Sequence, residues 1–262
     1  MFTFSKYLLA SSLEEAYDML VKNKNNAILG GTAYIKMGNR RLSTAIDLSA
    51  LDLSFIKEEG ENIEIGAMTT FRDIETSDIL KKKFSGIVAC SVEDIVGVQL
   101  RNVVTAGATV FSKYGFSDFI PALLALDTSV VLFNAGEMPL DKFLESDIKQ
   151  DILVKILIKN KPAKGSFQTI RKSNSDYAVL NVVAANLVDG IRIAVGARPG
   201  KAVLAAKAME KINTDGLTED NIEDICQVAS EELTFGDNMR ASGKYRKAVC
   251  KVMLKRALME VM

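Results

Sequence analysis

Apolar positions recur along the chain with two different periods, and these divide it into elements. Leu13, Ala16, Tyr17, Leu20 and Val21 share one face at helical spacing. Ser11 or Ser12 can cap that helix, with Glu14 or Glu15 three residues on as the capping-box partner. Asn23 to Asn26 end it, and Ala27-Ile28-Leu29 reads as a short buried strand running into Gly30-Gly31. Thr44 to Leu48 is the next strand. From Phe55 to Ile65 the alternation around Glu59-Gly60-Glu61-Asn62 predicts a hairpin. Thr69 or Thr70 is a plausible cap for a helix over Phe71 to Leu80, and a second helical pattern runs from Ile87 to Val96. Pro121 to Leu126 reads as a buried helix, Ser129 to Phe133 as a strand, Pro139 to Leu144 as a turn into a short helix, and Ile152 to Ile158 as a further strand.

Lys159 to Gly165 (KNKPAKG) is the linker candidate, polar with one Pro and one Gly. Beyond it the texture changes. Phe167 to Arg171 and Val179 to Val195 read as strands, with Asp189-Gly190 as a tight hairpin turn. Three helical patterns follow, Lys201 to Ile212, Glu219 to Glu232 and Tyr245 to Val261. In the last, Tyr245, Val249, Val252, Met253 and Ala257 keep the helical period. The predicted fold class is α+β: an N-terminal α/β part over residues 1–160, itself in two pieces of 1–52 and 53–160, then a sheet-and-three-helix domain over 163–262.

Composition narrows the chemistry. Apolar residues make up 48% of the 262 positions, enough for substantial cores. Thirty-three basic residues balance 33 acidic ones, so no field favours nucleic acid or an anionic membrane. Histidine is absent, which removes Ser-His-Asp and Cys-His catalysis and the commonest metal ligand. Cys90, Cys226 and Cys250 lie far apart without a CxxC spacing, which argues against a disulfide framework, a metal site or a cysteine-held iron–sulfur cluster. The N-terminus reaches a helix cap before any long apolar run, so neither a signal peptide nor a membrane span is predicted, and the expected compartment is the cytoplasm. No side chain stands out as catalytic. Hard chemistry would have to come from a cofactor.

Two stretches carry that possibility. Ala27-Ile28-Leu29-Gly30-Gly31-Thr32-Ala33-Tyr34 and Thr105-Ala106-Gly107-Ala108-Thr109 are runs of small residues and hydroxyls. Such runs leave backbone N–H groups uncovered, able to ring an anion. They read as two walls of one phosphate site, with a lone acid, Asp118, downstream of the second.

At this point the chain resembles a known family. Leu29-Gly30-Gly31-Thr32, Ile65-Gly66-Ala67-Met68-Thr69-Thr70, Gln99 to Gly107 (QLRNVVTAG), and Ser117-Asp118 with Pro121 to Asp127 (PALLALD) come in the order and spacing of the flavin subunits of molybdenum hydroxylases, the xanthine dehydrogenase and carbon monoxide dehydrogenase family. Arg171 with Ser175 to Ala178, Val195-Gly196-Ala197, and Asp237 to Arg246 continue the match, so the resemblance covers essentially the whole chain. It implies a two-subdomain FAD-binding domain of the PCMH type followed by a C-terminal domain of antiparallel sheet plus three-helix bundle. It also implies which residues meet FAD. Ala27 to Tyr34 and Thr105 to Thr109 would wrap the pyrophosphate, Asp118 would lie near the adenosine, Ile65 and Leu153 would line the flavin, and Gln168 falls where relatives often carry Lys. Two departures stand out. Ala108 replaces a glycine, which adds a methyl and is costly if the position needs positive φ. Tyr114-Gly115 replaces a Ser-Pro.

The function the resemblance implies is an FAD-carrying electron-transfer subunit in a heterotrimer. A molybdopterin-binding large subunit would oxidise the substrate, a [2Fe–2S] small subunit would relay electrons to this FAD, and NAD⁺ or another acceptor would take them. Two alternatives stay open: a flavin-less docking scaffold of the same complex, and a stand-alone flavin reductase of the same fold. Smaller features read as structural: Arg171 and Asp176 as a structural pair, the ten Met as core filler, and the Lys/Arg-rich last helix as a solvated face, where a partner subunit could also dock.

Overall fold

The computed structural model describes residues 2–262. In chain order its first elements are β1 (Thr3–Leu9), α1 (Leu13–Lys22), β2 (Ala27–Leu29), β3 (Arg41–Asp47), β4 (Ile56–Glu59) and β5 (Asn62–Gly66). Short helices follow: α2 (Phe71–Thr76), α3 (Asp78–Lys82), α4 (Ile87–Glu93), α5 (Val98–Arg101), α6 (Ala106–Ser112) and α7 (Phe119–Leu124). Then come β6 (Thr128–Leu132), β7 (Gly136–Pro139), α8 (Leu140–Glu145), β8 (Leu153–Lys159) and β9 (Lys164–Ile170). The chain closes with β10 (Leu180–Leu187), β11 (Gly190–Gly196), β12 (Val203–Leu204), α9 (Ala206–Asp215), α10 (Ile222–Glu232) and α11 (Gly243–Val261).

These elements form two compact units. The first holds the chain up to Ile74, with Gly97–Ser112 and Thr128–Ile158. Its smaller sheet has the order β1-β3-β2, with both outer strands parallel to β3. Its larger sheet has the order β4-β5-β8-β6-β7, with antiparallel pairing of β4 with β5 and of β6 with both β7 and β8. Helix α1 starts where the sequence says it should. Ser12 is the cap, accepting from the Glu15 backbone N–H at 3.1 Å, and the Glu15 carboxylate reaches back to the Ser11 N–H at 2.7 Å. Ala16 and Leu20 then pack with Ile46, Leu48 and Ile152.

The second unit holds Glu75–Val96, Lys113–Asp127 and Lys159–Met262. Its antiparallel sheet runs β12-β11-β10-β9, with the β10–β11 hairpin turning through Val188-Asp189, one residue before the predicted Asp189-Gly190. One face, carrying Leu180, Val182, Ile193 and Val195, packs against α9, α10 and α11 in a single apolar core. The other face meets α4 and α7, where Gly165 and Gly196 admit Ile87 and Pro121 at distances a side chain would block. That packing draws residues 75–96 and 113–127 into this unit although they precede the linker. Arg246 is fully buried in it, donating to the carbonyl oxygens of Val179, Gly236 and Ala241 and to the Asn238 side chain. Cys226 and Cys250 are buried thiols, pushed up to about 11 and about 12 by desolvation.

Several local expectations change. β1 has no predicted counterpart. The helix expected over Phe71 to Leu80 breaks at Ser77, whose hydroxyl caps α3 by accepting from the Leu80 N–H. The helix expected from Lys201 begins as strand β12 and becomes helical at Ala206. The face predicted on the last helix also divides. Met253 and Ala257 are buried, whereas Tyr245 and Val252 point to solvent.

Candidate functional site

The site in the first unit is built from backbone. β2 ends at Leu29, and the chain turns through Gly31 (φ 70°) and Thr32 (φ 61°), two consecutive left-handed residues. Glycine is required at position 31 by space as well as by torsion. A Cβ there would fall 1.4 Å from the Val103 carbonyl oxygen. A Cβ on Gly30 would lie 2.5 Å from the Ala108 Cβ and 3.0 Å from Thr105 Oγ1. The first turn is therefore pressed against the second.

The second turn is fixed from behind. The Phe71 N–H donates to the Val104 carbonyl and the Ala106 N–H to the Thr69 carbonyl, which makes a short bridge between Thr70 and Thr105. The Gly107 N–H donates to the Ala67 carbonyl at 2.8 Å, and a Cβ on Gly107 would come within 2.6 Å of the Ala67 Cβ. Ala67 in turn donates to Val154, the neighbour of Leu153 on β8, while Ile65 sits fully buried on β5. One chain of contacts thus joins Gly30, Gly31, Thr105, Gly107, Ala108 and Ala67, with Ile65 and Leu153 on the strands beneath. Ala108 belongs to α6 and is not among the residues with positive φ, so its methyl carries no torsional penalty and packs on Gly30.

What the turns leave unused defines their chemistry. Among the described residues, Gly30, Gly31, Thr32 and Ala33 donate no backbone hydrogen bond, and neither do Thr105 and Ala108. Thr105 Oγ1 is buried with no hydrogen-bond partner among the described residues, an arrangement that costs free energy unless something else meets it. The Thr109 hydroxyl donates to the Thr105 carbonyl at 2.9 Å. Neutral N–H groups and one orphaned hydroxyl form a donor set suited to an anion that needs no lysine.

The remaining two candidates belong to the second unit. Asp118, 5% exposed, precedes α7. Its carboxylate accepts from Arg171 Nη2 at 2.7 Å and from Asn181 Nδ2 at 2.6 Å. Burial pushes this carboxyl up, against the opposing pull of the guanidinium and the amide. Arg171 also meets Asp176 as a structural pair, donating through Nη1 to its backbone carbonyl at 2.9 Å, while the Asp176 carboxylate pairs with Arg240 at 2.8 Å, which holds that carboxyl below its ordinary value. Arg240 also lies over the Tyr177 ring, 4.9 Å from its centre. Gln168 donates through Nε2 to Ser166 Oγ and to Glu260, both at 3.1 Å. Asn181 and Glu260 are the partners the sequence did not reveal. No group of His, Cys, Asp and Glu able to hold a metal occurs among the described residues, and no helix is long and apolar enough to cross a membrane.

Comparison with known proteins bears on the family and the fold. Residues 2–160 match the FAD binding domain in molybdopterin dehydrogenase, and residues 165–261 match the CO dehydrogenase flavoprotein C-terminal domain. The glyceraldehyde dehydrogenase medium chain of Sulfolobus acidocaldarius is 27% identical, with 97% of each chain covered. The xanthine dehydrogenase FAD-binding subunit of Escherichia coli O157:H7 is 23% identical over 99% of this chain and 97% of its own. The solved carbon monoxide dehydrogenase from Hydrogenophaga pseudoflava shares the fold with a TM-score of 0.89 at 21% identity, covering 98% of this chain and 96% of that one. The expected mixed helix-and-sheet fold is borne out. With a flavin-binding family matched over the first 160 residues and its companion family over most of the rest, the chain belongs to the FAD-binding medium subunits of the molybdopterin dehydrogenases, an oxidoreductase family.

Proposed function

We propose that this chain holds FAD with its two small-residue turns and passes electrons through it within a larger dehydrogenase. A molybdopterin-binding subunit would oxidise the substrate, a [2Fe–2S] subunit would deliver the electrons, and NAD⁺ or a similar acceptor would remove them. The observation that carries the reading is the pair of interlocked turns, with six unengaged N–H groups and the orphaned Thr105 hydroxyl on the residues expected at the pyrophosphate. The fit is chemical as well as positional. A dinucleotide diphosphate accepts hydrogen bonds from neutral donors, and the glycines at 30 and 31 keep the backbone bare where it must approach.

Bound FAD would supply the exchange between one-electron and two-electron carriers. The chain's own part is to bind, orient and exclude water. The N–H groups of Gly30 to Ala33, with those of Thr105 and Ala108, would hold the diphosphate, and Thr105 Oγ1 would gain the partner it lacks. Ile65 and Leu153, both buried, would shape the apolar wall behind the ring system. Asp118 and Gln168 keep their polar groups engaged within the second unit, so the reading stands on the first unit. No residue here needs to act as a general base, which accords with a chain that contains no histidine.

The test is an absorbance spectrum of the purified chain, alone and co-expressed with its partner subunits. Flavin bands at about 370 and 450 nm, with about one FAD released per chain on denaturation, are expected. A chain that stays colourless with excess FAD, inside the assembled complex as well, would sink the proposal.

A further inference from the structure

Thr69 and Thr70 both stand where a cap for α2 is expected, and the structure gives them different tasks. The Thr70 hydroxyl caps the helix, donating to the Asp73 carboxylate at 2.6 Å and accepting from the Asp73 N–H at 3.2 Å. Thr69 is 1% exposed, and its hydroxyl is engaged elsewhere. It donates to the Phe55 carbonyl at 2.9 Å and accepts from the Phe55 N–H at 3.1 Å. Donor and acceptor are thus both used on the residue just before β4.

The backbone around Thr69 joins two sides of the first unit. Towards residues 53–55, the Gly66 N–H donates to the Phe55 carbonyl and the Met68 N–H to the Leu53 carbonyl, and a Cβ on Gly66 would fall 2.2 Å from the Leu53 carbonyl oxygen. Towards the second small-residue turn, the Thr69 carbonyl accepts from the Ala106 N–H at 2.9 Å and the Ala67 carbonyl from the Gly107 N–H at 2.8 Å. Thr69 holds both sides, with its hydroxyl on Phe55 and its carbonyl on Ala106.

We propose that Thr69 is a positioning residue for the anion site, acting through the backbone of the second turn and not on the ligand. This rests on the reading above that the turn meets a diphosphate. Ala106 and Gly107 direct their N–H groups back to Thr69 and Ala67, and that leaves those of Thr105 and Ala108, with the Thr105 hydroxyl, for the ligand. The division holds only while the Thr69 carbonyl stays in place, and two hydrogen bonds from its side chain to Phe55 keep it there. A donor set fixed from behind in this way loses less freedom when the ligand arrives.

The experiment uses the purified full chain and two readouts. Without ligand, Thr69→Val is expected to speed amide hydrogen exchange at Ala106 and Gly107 by about tenfold. In titrations it should lower FAD affinity by about tenfold and change riboflavin affinity by less than about twofold. Thr69→Ser, which keeps the hydroxyl, should restore both readouts, and Thr69→Ala replaces the valine variant if that one does not fold. Ser12→Ala removes the α1 cap and serves as the control for lost stability, with neither readout changed. Unchanged exchange in Thr69→Val, no rescue by serine, or an equal fall in affinity for both ligands would overturn the proposal. So would the same changes in Ser12→Ala. An unaltered chain that binds FAD no more tightly than riboflavin would instead overturn the diphosphate reading, while hydrogen exchange still decides whether Thr69 positions the turn.

Discussion

The two turns of the first unit and the Asp118 cluster of the second use their polar groups in different ways. The turns keep backbone donors unengaged and hold no charged side chain at their contact (Gly30, Gly31, Thr105 and Ala108). The cluster concentrates charge and engages its carboxylate internally: Asp118 accepts from both Arg171 and Asn181 and is 5% exposed, while Arg171 Nε and Asn181 Oδ1 are buried with no hydrogen-bond partner among the described residues. The acid and arginine are engaged with each other, whereas the run of small neutral residues keeps the backbone donors that the proposed diphosphate site needs.

This contrast can be broken at either end. The largest effect is expected from Gly31→Ala, because the added methyl meets the Val103 carbonyl at φ 70°. FAD affinity should fall by about 100-fold or more, read by fluorescence titration of whatever chain remains folded. Asp118→Ala comes next and acts on the other region. It leaves the Arg171 guanidinium buried without its acid, and should cost about 3 kcal/mol of stability in urea unfolding while FAD per folded chain is retained. A fall in FAD affinity with stability unchanged would reverse the assignment of Asp118 as a strut. Thr105→Val separates binding from stability more finely. Losing an orphaned hydroxyl should leave stability unchanged or raised by up to about 1 kcal/mol, and FAD affinity should drop by about fivefold. The smallest effect belongs to Ala108→Gly. Restoring a glycine inside α6 should lower stability by about 1 kcal/mol and change FAD affinity by less than about twofold.

Legibility followed locality. The Gly30-Gly31 turn, the helix cap at Ser11 or Ser12 and the hairpin near Asp189-Gly190 each carry their signal within a few residues, and all three could be read to within one position. The contact of Gly31 with Val103 joins residues 72 positions apart and has no local trace. β1 escaped notice because its residues are mostly exposed on both faces, so the two-residue alternation of a half-buried strand never appears. Arg171 does pair with nearby Asp176, through the backbone carbonyl, but the acid it meets is 53 positions away. Asn181 is hidden inside an apolar strand, where nothing in the pattern separates a buried amide from its neighbours. On α11 a single period was visible, but periodicity cannot tell a helix with one apolar face from a helix with two. The concern over Ala108 came from expecting a positive φ, which a residue inside α6 does not need.

The central claim is that the interlocked turns grip a dinucleotide through its diphosphate. It is tested most directly by titrating the apo chain with FAD and, separately, with riboflavin, which carries the same ring system and no phosphate. The account predicts that FAD binds more tightly by about 100-fold or more, and that Thr105→Val narrows the gap. Equal affinity for the two ligands would contradict it.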